Sequence, residues 1–193
     1  MKNPYQVVRD FEDSMAEYTG APYAISVDSC TNAIFLCCKY LGVGEVEIPK
    51  HTYLSVPCSI INAGGKVKFR DGDWYGQYRL NPYPIWDSAC YLSRKMYNGE
   101  FQCLSFSANK LLPVGKGGMI LTDNEEAMKW FKLARYEGRN ETSYLTDQPK
   151  MVGWNMYMTP EQAARGLVLL SYLPNYNLKK FKYPDLSLYG IYE

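Results

Sequence analysis

An α/β fold of three layers, a mostly parallel sheet with helices on both faces, is predicted by three observations. Helix-period and strand-type segments alternate along the chain, the strand candidates are short and apolar enough to be covered on both sides, and 193 residues suit a single sizeable core. Taken in order, Val7, Val8, Phe11, Met15 and Tyr18 recur at three- and four-residue spacings and stop at Gly20, an amphipathic helix with a glycine cap. YAISV at 23–27 is a strand, TNAIFLCCKYLGV an apolar helix ending near Gly42, and VEIP a second strand. TYLSVPCSIINAGG reads as a helix interrupted or bent at Pro57, with the strand KVKFRD after it. Turn formers and aromatics from Gly72 to Pro84 read as loop. PIWDSA, QCLSFS and GGMILTD are further strands, and NEEAMKWFKLARYEG is a helix with an Asn/Asp start and a glycine stop. TPEQAARGLVLLSYL opens on Thr159, Pro160 and Gln162, a capping-box pattern. After Leu173 no period is consistent, which predicts irregular chain.

Composition excludes several kinds of function. Lys plus Arg is 21 and Asp plus Glu 20, a net charge of +1, so no basic excess is present for neutralising phosphates, and no nucleic-acid partner is expected. No run of about 18 apolar residues occurs and no export signal opens the chain, so a cytoplasmic protein without a membrane partner is expected. The six cysteines include the adjacent Cys37 and Cys38 and no C-x-x-C pair, which reads as reduced thiols rather than a disulfide framework or zinc site. With His51 as the single histidine, a His-rich metal centre is impossible, and no metal ligand set is assigned.

In an open α/β sheet, ligands gather at the carboxyl ends of the strands, and four stretches lie at such ends. Ser29-Cys30-Thr31-Asn32 joins a strand to a helix, where free N–H groups and the helix dipole suit a phosphate; simple helix capping by Ser29 or Thr31 would give the same pattern. Asp87, in Ile-Trp-Asp-Ser, is a carboxylate at the end of an apolar strand, which a cationic ring nitrogen would pair; a turn aspartate is the alternative. Lys110 lies between Ser105-Phe106-Ser107-Ala108-Asn109 and the turn Val114-Gly115-Lys116-Gly117-Gly118, where partial burial would make it an imine-forming amine; a solvated surface lysine is the ordinary alternative. Tyr53, two residues after His51, offers a face for a flat heterocycle or an ordinary tyrosine contact.

This ordered set resembles the DegT-type (DegT/StrS) sugar aminotransferases, fold-type I pyridoxal-phosphate enzymes that aminate nucleotide-linked keto sugars. The matching stretches are FEDSMAEYTGAPYAISVDSCTNAI, IPKHTYLSVPCSIINAGGKVKF, WDSA, LSFSANKLLPVGKGGMILTD and GWNMYMTPEQAARGL, in family order from about residue 9 to 173. The resemblance implies pyridoxal 5'-phosphate as cofactor, Lys110 as its Schiff-base lysine and proton carrier, and Asp87 as the partner of its ring nitrogen. It also implies phosphate contacts from Cys30, Thr31 and Ser105, ring contacts from Tyr53 and the small Ala89, and an Asn155 that reaches the cofactor of a second subunit in a homodimer. The implied substrates are an amino donor, glutamate above all, and a nucleotide-linked keto sugar. A domain of residues 1–173 holding the cofactor is expected, with 174–193 as a tail or remnant of a smaller C-terminal domain. Three departures stand out: Cys90 where the family has Gln or His near the phenolic oxygen, Tyr157 where it has Arg, and a segment from Asp71 to Pro84 that has lost a strand-helix unit. With the substrate shell expected to be reduced, above all where family members continue after the QAA helix into a smaller C-terminal domain that helps bind the nucleotide-sugar, two alternatives stay open: another pyridoxal-phosphate reaction, such as a lyase or racemase, and a domain that binds cofactor with little or no turnover.

Overall fold

The computed structural model describes residues 3–143, 145–178 and 181–192. The chain forms α1 (Gln6–Thr19), β1 (Tyr23–Val27), α2 (Cys30–Leu41), β2 (Glu45–Pro49), α3 (Ser55–Asn62), β3 (Lys66–Arg70), β4 (Tyr78–Arg79), β5 (Ile85–Asp87) and β6 (Tyr91–Ser93). It continues through β7 (Phe101–Ser105), β8 (Gly118–Thr122), α4 (Glu125–Ala134), α5 (Pro160–Leu170) and β9 (Tyr176–Leu178). Among the described residues no helix is long and apolar enough to cross a membrane.

Three layers are present. Successive strand residues point to opposite faces, so a strand covered on both sides supplies two cores. Ile25 and Val27 of β1, Cys103 of β7 and Ile120 of β8 join Phe35, Leu36 and Phe131 on the side of α2 and α4. Ala24, Leu104, Met119 and Leu121, their neighbours in the same strands, join Phe11, Met15 and Ala163 on the side of α1 and α5.

Pairing in the sheet is mixed rather than mostly parallel. The larger sheet has the order β1-β8-β7-β5-β4, and β2 pairs with β3 in a second one. An antiparallel bridge between Glu47 and Asn81 links the two. β8 runs against both β1 and β7, β4 runs against β5, and the pairs β5–β7 and β2–β3 are parallel. β8 is reversed because residues 106–117 hold turns and no helix, and a parallel return needs a long crossover. The carboxyl ends of β1, β5 and β7 therefore meet the amino end of β8 at one edge.

Three local expectations change. α3 is not bent at Pro57, because the helix starts at Ser55 and the proline falls in its first turn, where a missing N–H breaks no helical bond. The stretch read as loop contains β4, whose Tyr78 lies opposite Asp87. Beyond Leu173 the chain is more regular than its sequence suggests, with β9 antiparallel to β6 and two short 3-10 turns at Leu186–Leu188 and Gly190–Tyr192. The capping box of Thr159 and Gln162 forms as its pattern predicts.

Arg135, just past α4, is 1% exposed and anchors this layer to the next. Its guanidinium donates to Glu12 of α1, to the Ser26 hydroxyl at 3.1 Å and to Glu141 at 2.8 Å, while Glu12 accepts from the Ser26 N–H at 2.9 Å. Breaking a buried pair leaves one charge unmatched, so Glu12→Gln should lower unfolding free energy by about 3–5 kcal/mol in urea titrations. A loss below about 1 kcal/mol, typical of an exposed pair, would show that the cluster holds little.

Candidate active site

Seven of the residues singled out in the sequence, Cys30, Thr31, Tyr53, Asp87, Ala89, Ser105 and Lys110, line one cavity of about 240 Å³. Strand ends bring them there: β1 leads into the turn before α2, β5 ends at Asp87, and β7 ends at Ser105 with Lys110 five residues on.

The turn after β1 caps α2 and faces the cavity at once. Ser29 accepts from the Asn32 N–H at 3.2 Å, so the capping reading holds for that residue. Thr31, one residue into the helix, shares a 2.8 Å hydrogen bond with Ser55 at the start of α3, so two helix N-termini converge on the cavity wall. Gly118 closes the cradle from β8. A Cβ there would lie 2.3 Å from the Ser29 carbonyl carbon and 2.4 Å from the Cys30 nitrogen, so only glycine lets β8 pass this close to the turn. The result is a small, N–H-rich corner at the positive ends of two helices, which suits a phosphate.

Asp87 is 6% exposed. One carboxylate oxygen accepts from the Tyr78 hydroxyl at 2.9 Å and the other from the Ala89 N–H at 3.0 Å. Tyr78 in turn is hydrogen-bonded to Thr52. Among the described residues no Lys, Arg or His forms an ion pair with Asp87. Burial pushes its carboxyl above the usual carboxylate range, against the pull of these two donors and of Lys110. Burial likewise pushes up the thiols of Cys30 and Cys90. The cavity thus holds a carboxylate with no ion-pair partner among the described residues.

Lys110 is half-buried, its Nζ 3.9 Å from Cys90 Sγ and 4.3 Å from the centre of the Phe181 ring. Tyr53 sits at the margin, 52% exposed, with its ring edge-on to Tyr183 at 6.3 Å. Asn155 lies outside the cavity lining and donates to Glu137 at 2.8 Å, while Tyr157 packs against the rings of Tyr5 and Tyr136. His51 lies outside it as well, its Nδ1 3.3 Å from the Tyr183 carbonyl oxygen.

Sequence reasoning missed Tyr78, Phe181 and Tyr183. Tyr78 sits in a run of turn formers and aromatics, and its register opposite Asp87 is set by pairing that no local pattern announces. Phe181 and Tyr183 lie in the aperiodic tail, which gives no sign that it returns to the cavity.

Residues 1–81 and 93–186 match the DegT/DnrJ/EryC1/StrS aminotransferase family. The chain belongs to this family. The GDP-perosamine synthase of Caulobacter vibrioides is 27% identical over 207 residues, a match that covers 83% of this chain and 55% of the relative. The crystal structure of 3-amino-5-hydroxybenzoic acid synthase superposes with a TM-score of 0.74 at 22% identity, covering 86% of this chain and 56% of that one. The PLP form of Spr1654 from Streptococcus pneumoniae gives 0.73 at 19% identity, covering 87% and 59%. Both structures share the fold, an α/β layer arrangement. The chain spans about 55% of the length of the curated relatives it matches. Relatives in the family include nucleotide-sugar aminotransferases, such as the UDP-4-amino-4,6-dideoxy-N-acetyl-beta-L-altrosamine transaminase of Campylobacter jejuni, 24% identical over 223 residues that cover 90% of this chain and 58% of the relative.

Proposed function

We propose that this chain binds pyridoxal 5'-phosphate in the cavity and takes part in transferring an amino group from an amino acid, glutamate above all, to a nucleotide-linked keto sugar. The observation that carries the reading is Asp87, a buried carboxylate with no ion-pair partner among the described residues, in the same cavity as a half-buried lysine. The residues present fit the cofactor: a phosphate corner at Cys30, Thr31 and Ser105 that glycine keeps open, a carboxylate suited to a protonated ring nitrogen, and the amine of Lys110. When bound, pyridoxal phosphate supplies an aldehyde that captures amines and a ring that takes up an electron pair.

The chain's own groups then have distinct work. Asp87 holds a proton at the ring nitrogen, with Tyr78 and the Ala89 N–H orienting its two oxygens. Lys110 Nζ anchors the cofactor and, released by the incoming donor, carries the proton taken from the donor's Cα. Ala89 is small enough to leave space beneath the ring, and Tyr53 offers a face at the margin. Asn155, outside its own cavity, is assigned to the phosphate of a second copy, which makes the working unit a homodimer.

Glutamate added to the cofactor-loaded protein should convert the cofactor to its pyridoxamine form, followed by its spectrum, with 2-oxoglutarate released. Cofactor that binds but never converts would instead favour a binding domain without turnover, a reading to which the seat of Phe181 against Lys110 lends weight.

A further inference from the structure

One wall of the cavity comes from the C-terminal segment. Phe181 places its ring against the Lys110 amine, and Tyr183 brings its hydroxyl to 3.7 Å from Cys90 Sγ. The Tyr183 ring also lies parallel to that of Trp74 within 18°, at 6.0 Å. Further along, the segment is tied down at three places. Asp185 pairs with Lys50 at 3.0 Å, the Leu186 N–H donates to the Lys50 carbonyl at 2.9 Å, and Leu186 itself is 2% exposed. Tyr192 packs its ring on Phe69 at 6.1 Å and donates to the Leu54 carbonyl at 3.4 Å.

We propose that residues 181–192 are a strap that gates Lys110, with Phe181 and Tyr183 as the two residues that decide what reaches it. Closed, the strap seats an aromatic ring on the amine and a hydroxyl on the neighbouring thiol. Open, it clears that face of Lys110. Opening is needed because a ring centred 4.3 Å from Nζ fills the approach an incoming carbonyl carbon would take on that side. Opening is feasible because the strap is held at a few points only, Leu186 and Tyr192 being its buried residues: residues 184 and 187–191 are exposed, residues 181–192 pair with no strand, and the ion pair to Lys50 is partly solvated. Segments with few buried contacts are the ones that open while the rest of a domain stays folded. The same contacts make the closed strap a brake on covalent capture at Lys110.

The gate rests on the cavity and not on the reaction assigned to it, and it can be tested without cofactor. Cys90 is nearly buried under Tyr183, whereas Cys37 is fully buried in the core. Alkylation of each thiol by iodoacetamide in the apo-protein, read by peptide mass spectrometry, reports strap opening and global opening separately. Leu186→Ala should speed labelling at Cys90 about tenfold or more and leave Cys37 unchanged. Asp185→Ala, which removes the ion pair to Lys50 and the cap on Ser187 while leaving Leu186 in place, should give a smaller rise of about two- to fivefold and decides the matter if Leu186→Ala fails to fold. In cofactor-competent protein both variants should also bind pyridoxal phosphate faster. Cys90 labelling unchanged in the folded variants, or rising only in step with Cys37, would overturn the gate even where the cofactor binds normally.

Discussion

Asp87→Asn should slow amino transfer by about two to four orders of magnitude and leave the apo-protein no less stable at neutral pH. Removing one partner from a buried charge pair costs about 3–5 kcal/mol, and each 1.36 kcal/mol on a barrier is about tenfold in rate. In the apo-protein the balance is reversed, because the carboxylate has two hydrogen bonds but no ion-pair partner among the described residues. Burial raises its folded-state pKa above that of the unfolded chain, so Asp87 contributes stability while protonated, at acid pH, and that contribution is lost as pH rises through the raised value. Asn carries no charge at any pH. Its advantage in the apo-protein should therefore appear as pH rises above the carboxylate range and vanish below it. Urea midpoints across that range, set beside rates of glutamate conversion, check both halves. A variant that loses stability at neutral pH and keeps its rate would mark Asp87 as a structural turn residue.

Much of this site was legible because chemistry gathers where strands end. The stretches around Thr31, Asp87 and Lys110 could be placed at strand ends from apolar runs alone, and the structure brings them to one cavity. The two-faced sheet was legible for a related reason: uninterrupted apolar strands such as QCLSFS and GGMILTD make sense only when both faces are covered. Strand direction was less accessible. The twelve residues from 106 to 117 carry Pro113 and glycines at 115 and 117 but no helical period, a sign of antiparallel return that the strand-helix alternation elsewhere obscured. Arg135 and Glu12 gave no signal, since each sits in an amphipathic helical stretch where a charge normally faces water, and only the meeting of two helices and a strand buries them. The return of the tail to Lys110 depends on contacts between residues more than 70 positions apart, which period and propensity do not encode.

Lys110→Ala should abolish covalent capture of pyridoxal phosphate while the fold survives. The side chain is half-buried, makes no ion pair among the described residues and contacts Cys90 and Phe181 through its end group, so its loss removes little packing. Lys116, which also lines the cavity, is ion-paired at 3.6 Å with Asp28 and mostly exposed. Noncovalent binding should persist in the variant, because the phosphate corner and Asp87 are untouched, and added free amine should restore part of the chromophore.

The visible absorption spectrum of the purified protein mixed with pyridoxal phosphate, recorded for the natural sequence and for Lys110→Ala, tests the site most directly. The natural sequence should develop the absorbance band of a lysine-linked cofactor, borohydride should fix the label on the peptide containing Lys110, and the variant should show neither. A natural-sequence protein that gives no band, or a band and a fixed label that survive in the variant, would contradict the assignment of this cavity to the cofactor and of Lys110 to its capture.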